Sequence, residues 1–493
     1  IAGGTTGILN STRPPITPAA WTTFMTGKGP GRHGIIDFER YDAGTNTLSF
    51  NSTYEIREPT IWNILSEKGL RVGSVNLPMT FPPRPVNGFL ISGFETPSID
   101  AEFTYPTWEM ALQQLAEPAA QRRFVVILDE FAYAVEVEPA LPSVLQNVWD
   151  HTLKQTQIFL VLCGSHVGMM KKLQAHQAPL FGRITGQLEL KPLPFSATGA
   201  FLPAYSLERR IAVYAILGGV PGYLERFSDQ LSLADNVRRH LFRPTGMFRI
   251  EPQFLLQDEV QQPRNYLAIL LAIASGQRTQ SDISRTTGLD HVTAYLNRLQ
   301  ELHFVRRDIP ATVPPTRRAA SRKGRYGLAD PYMRFYYRFI HPHQHLLAQG
   351  LHDWLWQLIS EQLRAFIGTY AFEELCREWI LTKARANDLP FMPEYVGSHW
   401  SPEAQIDVVA INWRLKEILL GEAKWTGDSI RRSIVRGLIE KTNLVVPDSG
   451  AGWKVHYTFF SRSGFTEAAV AEAKNHQVIL VDLKTLGYTL GTS

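Results

Sequence analysis

Three places in this sequence gather side chains whose types and spacing could do chemistry. The first is Asp129-Glu130, directly after the apolar run Phe124-Val-Val-Ile-Leu128. At the carboxyl end of a buried strand, the Asp can order Mg²⁺ against a nucleotide's phosphates, and the Glu can polarise an attacking water. Acids also end buried strands simply because the chain meets solvent there. The second is Asp407 followed, after fourteen residues, by Glu422-Ala-Lys424. Alternate strand residues share a face, so Glu422 and Lys424 point the same way, and Asp407 on an adjacent strand can face them. That arrangement offers two carboxylates for Mg²⁺ or Mn²⁺ and a lysine beside the nucleophilic water. A surface hairpin is the competing reading. The third is a basic segment, with Arg298, Arg306, Arg307, Arg317, Arg318, Arg322, Lys323 and Arg325 able to contact DNA phosphates. His341-Pro-His-Gln-His345 resembles a metal cluster. It lacks acids or cysteines at ligand spacing, and a solvated loop is expected there.

Particular elements must position these residues. The run before Asp129 and a second, Ile158-Phe-Leu-Val-Leu-Cys163, predict two parallel strands buried on both faces, with a helical crossover between them. Residues 195–250 read as helical. Within 264–308, Tyr266–Ala274, Gln280–Thr287 and Val292–Leu302 predict three helices, with a turn at Gly288-Leu289 and a wing from Phe304. Tyr295, Leu299 and Leu302 should face the first two helices. A helix-turn-helix of this kind can enter a DNA groove or act as an internal spacer. The polar, basic residues 310–326 predict an exposed loop. Ile406–Ile411 and Glu417–Trp425 predict a hairpin that turns at Asn412-Trp-Arg-Leu.

With 493 residues, the chain has room for three or four domains, and 44% hydrophobic with 19% charged residues excludes a disordered chain or a coiled coil. Net charge +4 permits nucleic acid as a partner without demanding it. Two cysteines, Cys163 and Cys376, cannot make a disulfide framework or zinc cluster, so a reducing, cytoplasmic setting is expected. No apolar run approaches the roughly 18 residues that a membrane span needs, and no signal peptide opens the chain. The first residue is Ile1 and not Met, which hints at a missing upstream segment.

From about Thr107 onward, the order Leu128-Asp-Glu-Phe131, Gly164-Ser165, Pro179-Leu-Phe-Gly-Arg183, Gly218-Gly-Val-Pro-Gly-Tyr223 resembles an archaeal and bacterial ATPase family of the STAND-like AAA+ group. The resemblance implies ATP and Mg²⁺ as cofactors. It implies Asp129 as Mg²⁺ ligand, Glu130 as catalytic acid, Ser165 as γ-phosphate sensor, Arg183 as a charge-neutralising arginine and Pro221 near the base. The Gly-x-x-x-x-Gly-Lys-[Ser/Thr] phosphate cradle is missing: Thr26-Gly-Lys28 runs into Gly29, and Thr22 stands where the first glycine should be. Impaired ATP binding is therefore expected. Residues 3–106, with Pro14-Pro-Ile-Thr-Pro18 and Val75-Asn-Leu-Pro-Met-Thr-Phe-Pro82, are similar to the type I phosphodiesterase branch of the alkaline phosphatase superfamily. That likeness implies Thr17 as nucleophile, assisted by two metals whose Asp and His ligands the sequence does not supply. Finally, the Asp407 and Glu422-x-Lys424 pattern, preceded by Ala371-Phe-Glu-Glu-Leu375, resembles the PD-(D/E)xK nuclease core. It implies Glu373 as the helix acid, with Glu374 as the neighbouring alternative.

The expected fold class is thus α/β in four parts. These are a partial alkaline-phosphatase-like segment (1–106), a truncated P-loop ATPase α/β core with a helical lid (107–250), a winged helix (251–328) and a PD-(D/E)xK nuclease-like α/β domain (329–493). The expected function is an ATPase-family protein with a nuclease-like domain. A phosphodiesterase remnant and a non-catalytic DNA-binding or interaction protein are the alternatives. ATP and DNA are the candidate partners, no membrane is expected, and the oligomeric state is open.

Overall fold

The structure, a computed structural model, describes residues 17–42, 47–93, 104–105, 108–164, 167–243, 246–260 and 263–491. The fold is mixed α/β, and the chain divides into two compact units, Ile1–Gln187 and Leu188–Ser493. The division falls inside the segment 107–250, where residues 184–194 run without regular structure.

In the first unit, strands β1 (Glu39–Asp42) and β2 (Thr47–Phe50) form an antiparallel ribbon. Strands β3 (Val72–Leu77), β4 (Gly88–Ser92) and β5 (Thr104–Tyr105) form a small sheet, parallel between β3 and β4. Strands β6 (Phe124–Leu128) and β7 (Ile158–Leu162) pair in parallel, with the helices Phe131–Val137 and Leu141–His151 between them in sequence. This is the expected β-helix-β crossover. The expectation of burial on both faces fails. Leu128, Ile158 and Leu160 pack onto a core around Leu141, Leu145 and Val148, whereas Val125 is 55% exposed, Ile127 62% and Phe159 59%. A two-stranded sheet with helices on one side leaves alternate side chains on the other side in solvent.

The second unit opens with helices, among them Leu207–Leu217 and Pro221–Leu224. Helices Pro263–Ala274, Gln280–Thr287 and Val292–Glu301 then lead into an antiparallel ribbon of β8 (Val305–Asp308) and β9 (Arg325–Leu328). Gly288 ends the middle helix with φ +69°, a left-handed conformation that glycine adopts without strain. Val292, Leu296 and Leu299 form the buried stripe of the third helix, and Tyr295 is partly buried, its ring edge-on to Tyr266. Residues 310–326 are not simply an exposed loop. Ala311 and Val313 are buried, the Ala311 N–H donates to the Ser398 carbonyl at 2.9 Å, and Pro315–Arg318 makes a helical turn. His341–His343 likewise forms a short helical turn instead of a loop, with the His341 ring against Tyr336 and Tyr337.

The last part is a five-stranded sheet, ordered β10 (Tyr395–Trp400), β11 (Gln405–Asn412), β12 (Glu417–Lys424), β13 (Lys454–Ser461), β14 (Ile479–Asp482). The first three strands pair antiparallel and the last three parallel. The β11–β12 hairpin turns where the Asn412 side chain accepts from the Leu415 N–H at 2.8 Å. Val408, Ala410, Leu419 and Phe460 pack with Leu375 and Trp379 of the helix Glu373–Arg385. Val409, Ile411, Ile418 and Leu420 pack with Val435, Leu438 and Ala469, from helices Arg432–Glu440 and Glu467–Asn475. Both faces of this sheet are therefore covered. The cluster on the Trp379 side is continuous with the three-helix segment, through Leu270, Leu296 and Phe304.

Candidate functional site

The hairpin register decides which charged side chains meet. Val408 pairs with Gly421, so one step further the same register sets Asp407 across from Glu422. Gly421 is where the strands crowd: a Cβ there would lie 2.7 Å from Thr458 Cγ2 and 3.1 Å from Val408 Cβ. Lys424 Nζ stands 2.5 Å from Glu422 Oε2 and 3.8 Å from Asp407 Oδ2. The Ala423 N–H donates to Asp407 Oδ2 at 3.1 Å, which orients that carboxylate. Lys441 reaches Glu422 Oε1 at 3.5 Å. The structure thus brings together Asp407, Glu422 and Lys424.

The helix Glu373–Arg385 adds a third carboxylate and a cation. Glu373 Oε2 lies 3.6 Å from Arg377 Nη1, which donates to the Asp407 carbonyl at 2.9 Å. Burial, then the Asp407 charge, pushes the Glu373 carboxyl up to about 8. Burial and the Glu422 charge likewise push Asp407 up. Burial alone would lower the Lys424 ammonium, but Glu422 and Asp407 outweigh it and hold it above its usual value. Carboxyls that burial and one another's charge push up would be stabilised in their charged form by an added cation. Among the described residues, no three His, Cys, Asp or Glu donors already converge as a metal cage.

Glu374, one residue on, has a different environment. It meets Arg306 at 2.5 Å and Arg334 at 3.2 Å. Burial would raise its carboxyl, yet Arg334 and Arg306 prevail and hold it low. Arg306 is therefore committed to Glu374, and to Asp308 at 3.1 Å, and is not free for DNA phosphates as its sequence context suggested. Arg298 pairs with Glu301, Arg307 donates to the Ser321 carbonyl, and Arg318 donates to the Ile309 and Pro310 carbonyls. Arg317, Arg322 and Lys323 are exposed, and Arg325 stacks on the Trp400 ring at 4.9 Å.

The other candidates are not gathered in this way. Asp129 is exposed at the end of β6, with its Oδ1 accepting from the Glu130 N–H at 3.0 Å. Glu130 adopts φ +48° and starts the helix Phe131–Val137. Ser165 lies outside the described residues. Arg183, instead of standing free to neutralise a nucleotide, grips Asp150 at 2.6 Å and donates to the Pro179 and Phe181 carbonyls. A planar guanidinium with a well-placed carboxylate in reach takes it. Pro221 starts the helix Pro221–Leu224 in the second unit, while Asp129 belongs to the first. Thr17 is exposed at the start of the helix Thr17–Thr26. Arg377, Lys441 and His399 were not singled out from sequence. Only Arg377 carried a usable signal, its four-residue helical spacing from Glu373.

Comparison with known proteins matches residues 88–227 to a family described as an ATPase domain predominantly from Archaea. That span includes Asp129, Glu130, Ser165, Arg183 and Pro221. Residues 336–435, with Glu373, Asp407, Glu422 and Lys424, match a family of archaeal and bacterial proteins of unknown function. An uncharacterized protein of Methanocaldococcus jannaschii is 30% identical over 388 residues, covering 78% of this chain and 83% of its own. The chain belongs to this predominantly archaeal ATPase family. A second uncharacterized protein of the same organism is 35% identical to the ATPase-family chain over 51 residues, 10% of this chain and half of its own. Among solved structures, a Walker-type ATPase of Pyrococcus abyssi is similar at 20% identity with a TM-score of 0.36, covering 48% of the ATPase-family chain and 67% of its own. No helix among the described residues is long and apolar enough to cross a membrane.

Proposed function

We propose that this ATPase-family protein carries a metal-dependent nuclease centre in its five-stranded domain, and that its ATPase core binds ATP weakly. The observation that carries the nuclease reading is Lys424 Nζ, set between Glu422 at 2.5 Å and Asp407 at 3.8 Å. Two neighbouring carboxylates suit Mg²⁺ or Mn²⁺, cations that keep waters and take one or two protein carboxylates together with substrate phosphates. Asp407 and Glu422 would hold the ion, which when bound supplies charge stabilisation and a more acidic water. Lys424 places its ammonium against the scissile phosphate, where negative charge develops, and Glu373 orients the attacking water. The three-helix segment and its ribbon, read as a winged helix, would bring DNA to this centre.

The weak-ATP reading rests on the missing phosphate cradle, whose backbone N–H groups and lysine would bind the β- and γ-phosphates. With Asp129 exposed and Arg183 paired to Asp150, the described residues around β6 offer little to replace it.

The test of the nuclease reading is cleavage of single-stranded and branched DNA with Mg²⁺ or Mn²⁺. Asp407→Ala and Glu422→Ala should each abolish metal-dependent cleavage while leaving the circular dichroism spectrum unchanged. Cleavage that persists in both variants would overturn the proposal.

A further inference from the structure

Where the β8–β9 ribbon meets β10 and the helix Glu373–Arg385, the second unit encloses a cavity of about 90 Å³. Six arginines line it: Arg278, Arg306, Arg325, Arg334, Arg338 and Arg377. The carboxylates of Glu373 and Asp407 reach the same cavity. Four of the arginines have partners. Arg306 and Arg334 hold Glu374, Arg377 lies beside Glu373, and Arg338 donates to the Ala274 carbonyl and Gln362. Arg278 and Arg325 pair with no carboxylate among the described residues. Instead they repel each other: burial, and then Arg278, lowers the Arg325 guanidinium. Arg278 also faces Glu373, but six guanidinium groups against the carboxylates of Asp308, Glu373, Glu374 and Asp407 leave an excess of positive charge that an anion would neutralise.

Two buried donors add a second, independent sign. Arg334 is 5% exposed, and its Nε has no hydrogen-bond partner. His399 is 7% exposed and lines the cavity; its Nδ1 is 2.7 Å from the Thr312 hydroxyl, while Nε2 has no partner. Burial keeps this imidazole neutral, with its pKa lowered to about 4. If the Thr312 hydroxyl donates to Nδ1, the ring proton sits on Nε2 and needs an acceptor. Buried donors without acceptors are uncommon and call for a ligand or ordered water.

We propose that this cavity is a binding site for a phosphate monoester, with Arg278 and Arg325 taking its charge and His399 Nε2 donating to it. A water needs roughly 10–15 Å³ of such space, so 90 Å³ leaves room for a phosphate group. The ligand is either the phosphorylated end of a nucleic-acid strand or a free nucleotide. In the first case the strand end lies beside Asp407 and Glu373, and the nuclease centre works near termini. That last step rests on the nuclease reading; the phosphate site itself does not.

Calorimetry on the full chain in EDTA separates the two ideas, because no metal and no cleavage are needed. The probes are inorganic phosphate, a nucleoside monophosphate, and one single-stranded oligonucleotide with a 5′-phosphate, a 3′-phosphate or hydroxyls at both ends. A phosphorylated oligonucleotide should bind about tenfold more tightly than its hydroxyl counterpart, a gain typical of charge-assisted hydrogen bonds. Arg278→Gln and Arg325→Gln should each remove that gain, and Arg414→Gln, at an exposed position in the β11–β12 turn, should leave it intact. Arg278→Lys keeps the charge without the planar fork and should retain part of it. Tighter binding of the monophosphate than of the oligonucleotides would support the site with a free nucleotide as its source. Equal binding of all oligonucleotides with no binding of phosphate or monophosphate would overturn it, as would a gain that survives both glutamine variants with unchanged melting temperatures. Asp407→Ala removes a carboxylate from the cavity wall and should not weaken phosphate binding, so loss of cleavage alone counts only against the nuclease reading.

Discussion

Adjacent glutamates in the helix Glu373–Arg385 show how strongly local geometry sets a residue's role. Glu374 is tied to Arg306 and to Arg334, which is 5% exposed, whereas Glu373 faces Asp407. Removing one partner of a buried ion pair leaves the other charge uncompensated. Glu374→Ala is therefore expected to cost about 3 kcal/mol of stability by urea unfolding. Glu373→Gln removes a carboxylate that is already pushed up by burial and by Asp407, so it should not destabilise the fold. An equal loss in both variants would refute this division of roles. His399 gives a pH dependence. Its folded pKa, lowered from 6.5 to about 4 by burial and then by Lys323, means that the unfolded chain binds more protons between those values. The stability it permits is full above 6.5 and is lost as pH falls towards 4. His399→Gln should flatten the fall of urea midpoint between pH 6.5 and 4; an unchanged slope would show that His399 is not the group responsible.

At the scale of elements, two strands that each carry an apolar run behave differently. β12 is covered on both faces, and Gly421 sits where a Cβ would meet Thr458 Cγ2 at 2.7 Å. Gly421→Ala should cost about 1–3 kcal/mol through overpacking. It should also weaken metal-dependent cleavage, because Glu422 is the next residue along the strand. β6 has one bare face. Ile127, 62% exposed, should tolerate Thr within about 0.5 kcal/mol, while Leu145→Ala in the core beside it should cost about 2–5 kcal/mol. Comparable losses at the two positions, read by thermal melting, would show that the exposed face is covered in solution.

For the whole molecule, the expected consequence of the missing phosphate cradle is ATP binding at least about tenfold weaker than in a relative that has one, roughly 1.4 kcal/mol or more. Calorimetry with Mg²⁺-ATP checks this, and a micromolar dissociation constant would refute it. The ATPase-family match over residues 88–227 spans the division between the two compact units at Gln187 and Leu188. The match over 336–435 lies wholly within the second unit and takes in the acidic cluster.

The sequence by itself determined the features that rest on local rules. The parallel pairing of β6 and β7, the three helices closed at Gly288, and the hairpin turning at Asn412 follow from apolar runs, glycine and turn residues close together in the chain. The two-residue strand period likewise put Glu422 and Lys424 on one face. Tertiary structure alone decided what depends on residues far apart. Arg183 is held by Asp150, Arg306 by Glu374, and Lys441 reaches Glu422. Ala311 and Val313 are buried in a segment whose polar composition suggested a loop. The exposed face of β6 depends on which helices pack against it, and the arginine-lined cavity on how the ribbon meets the last sheet. Periodicity is a property of neighbours in sequence, whereas a charge's partner is whichever opposite charge the completed core brings within a few ångströms, and no local pattern encodes that distance.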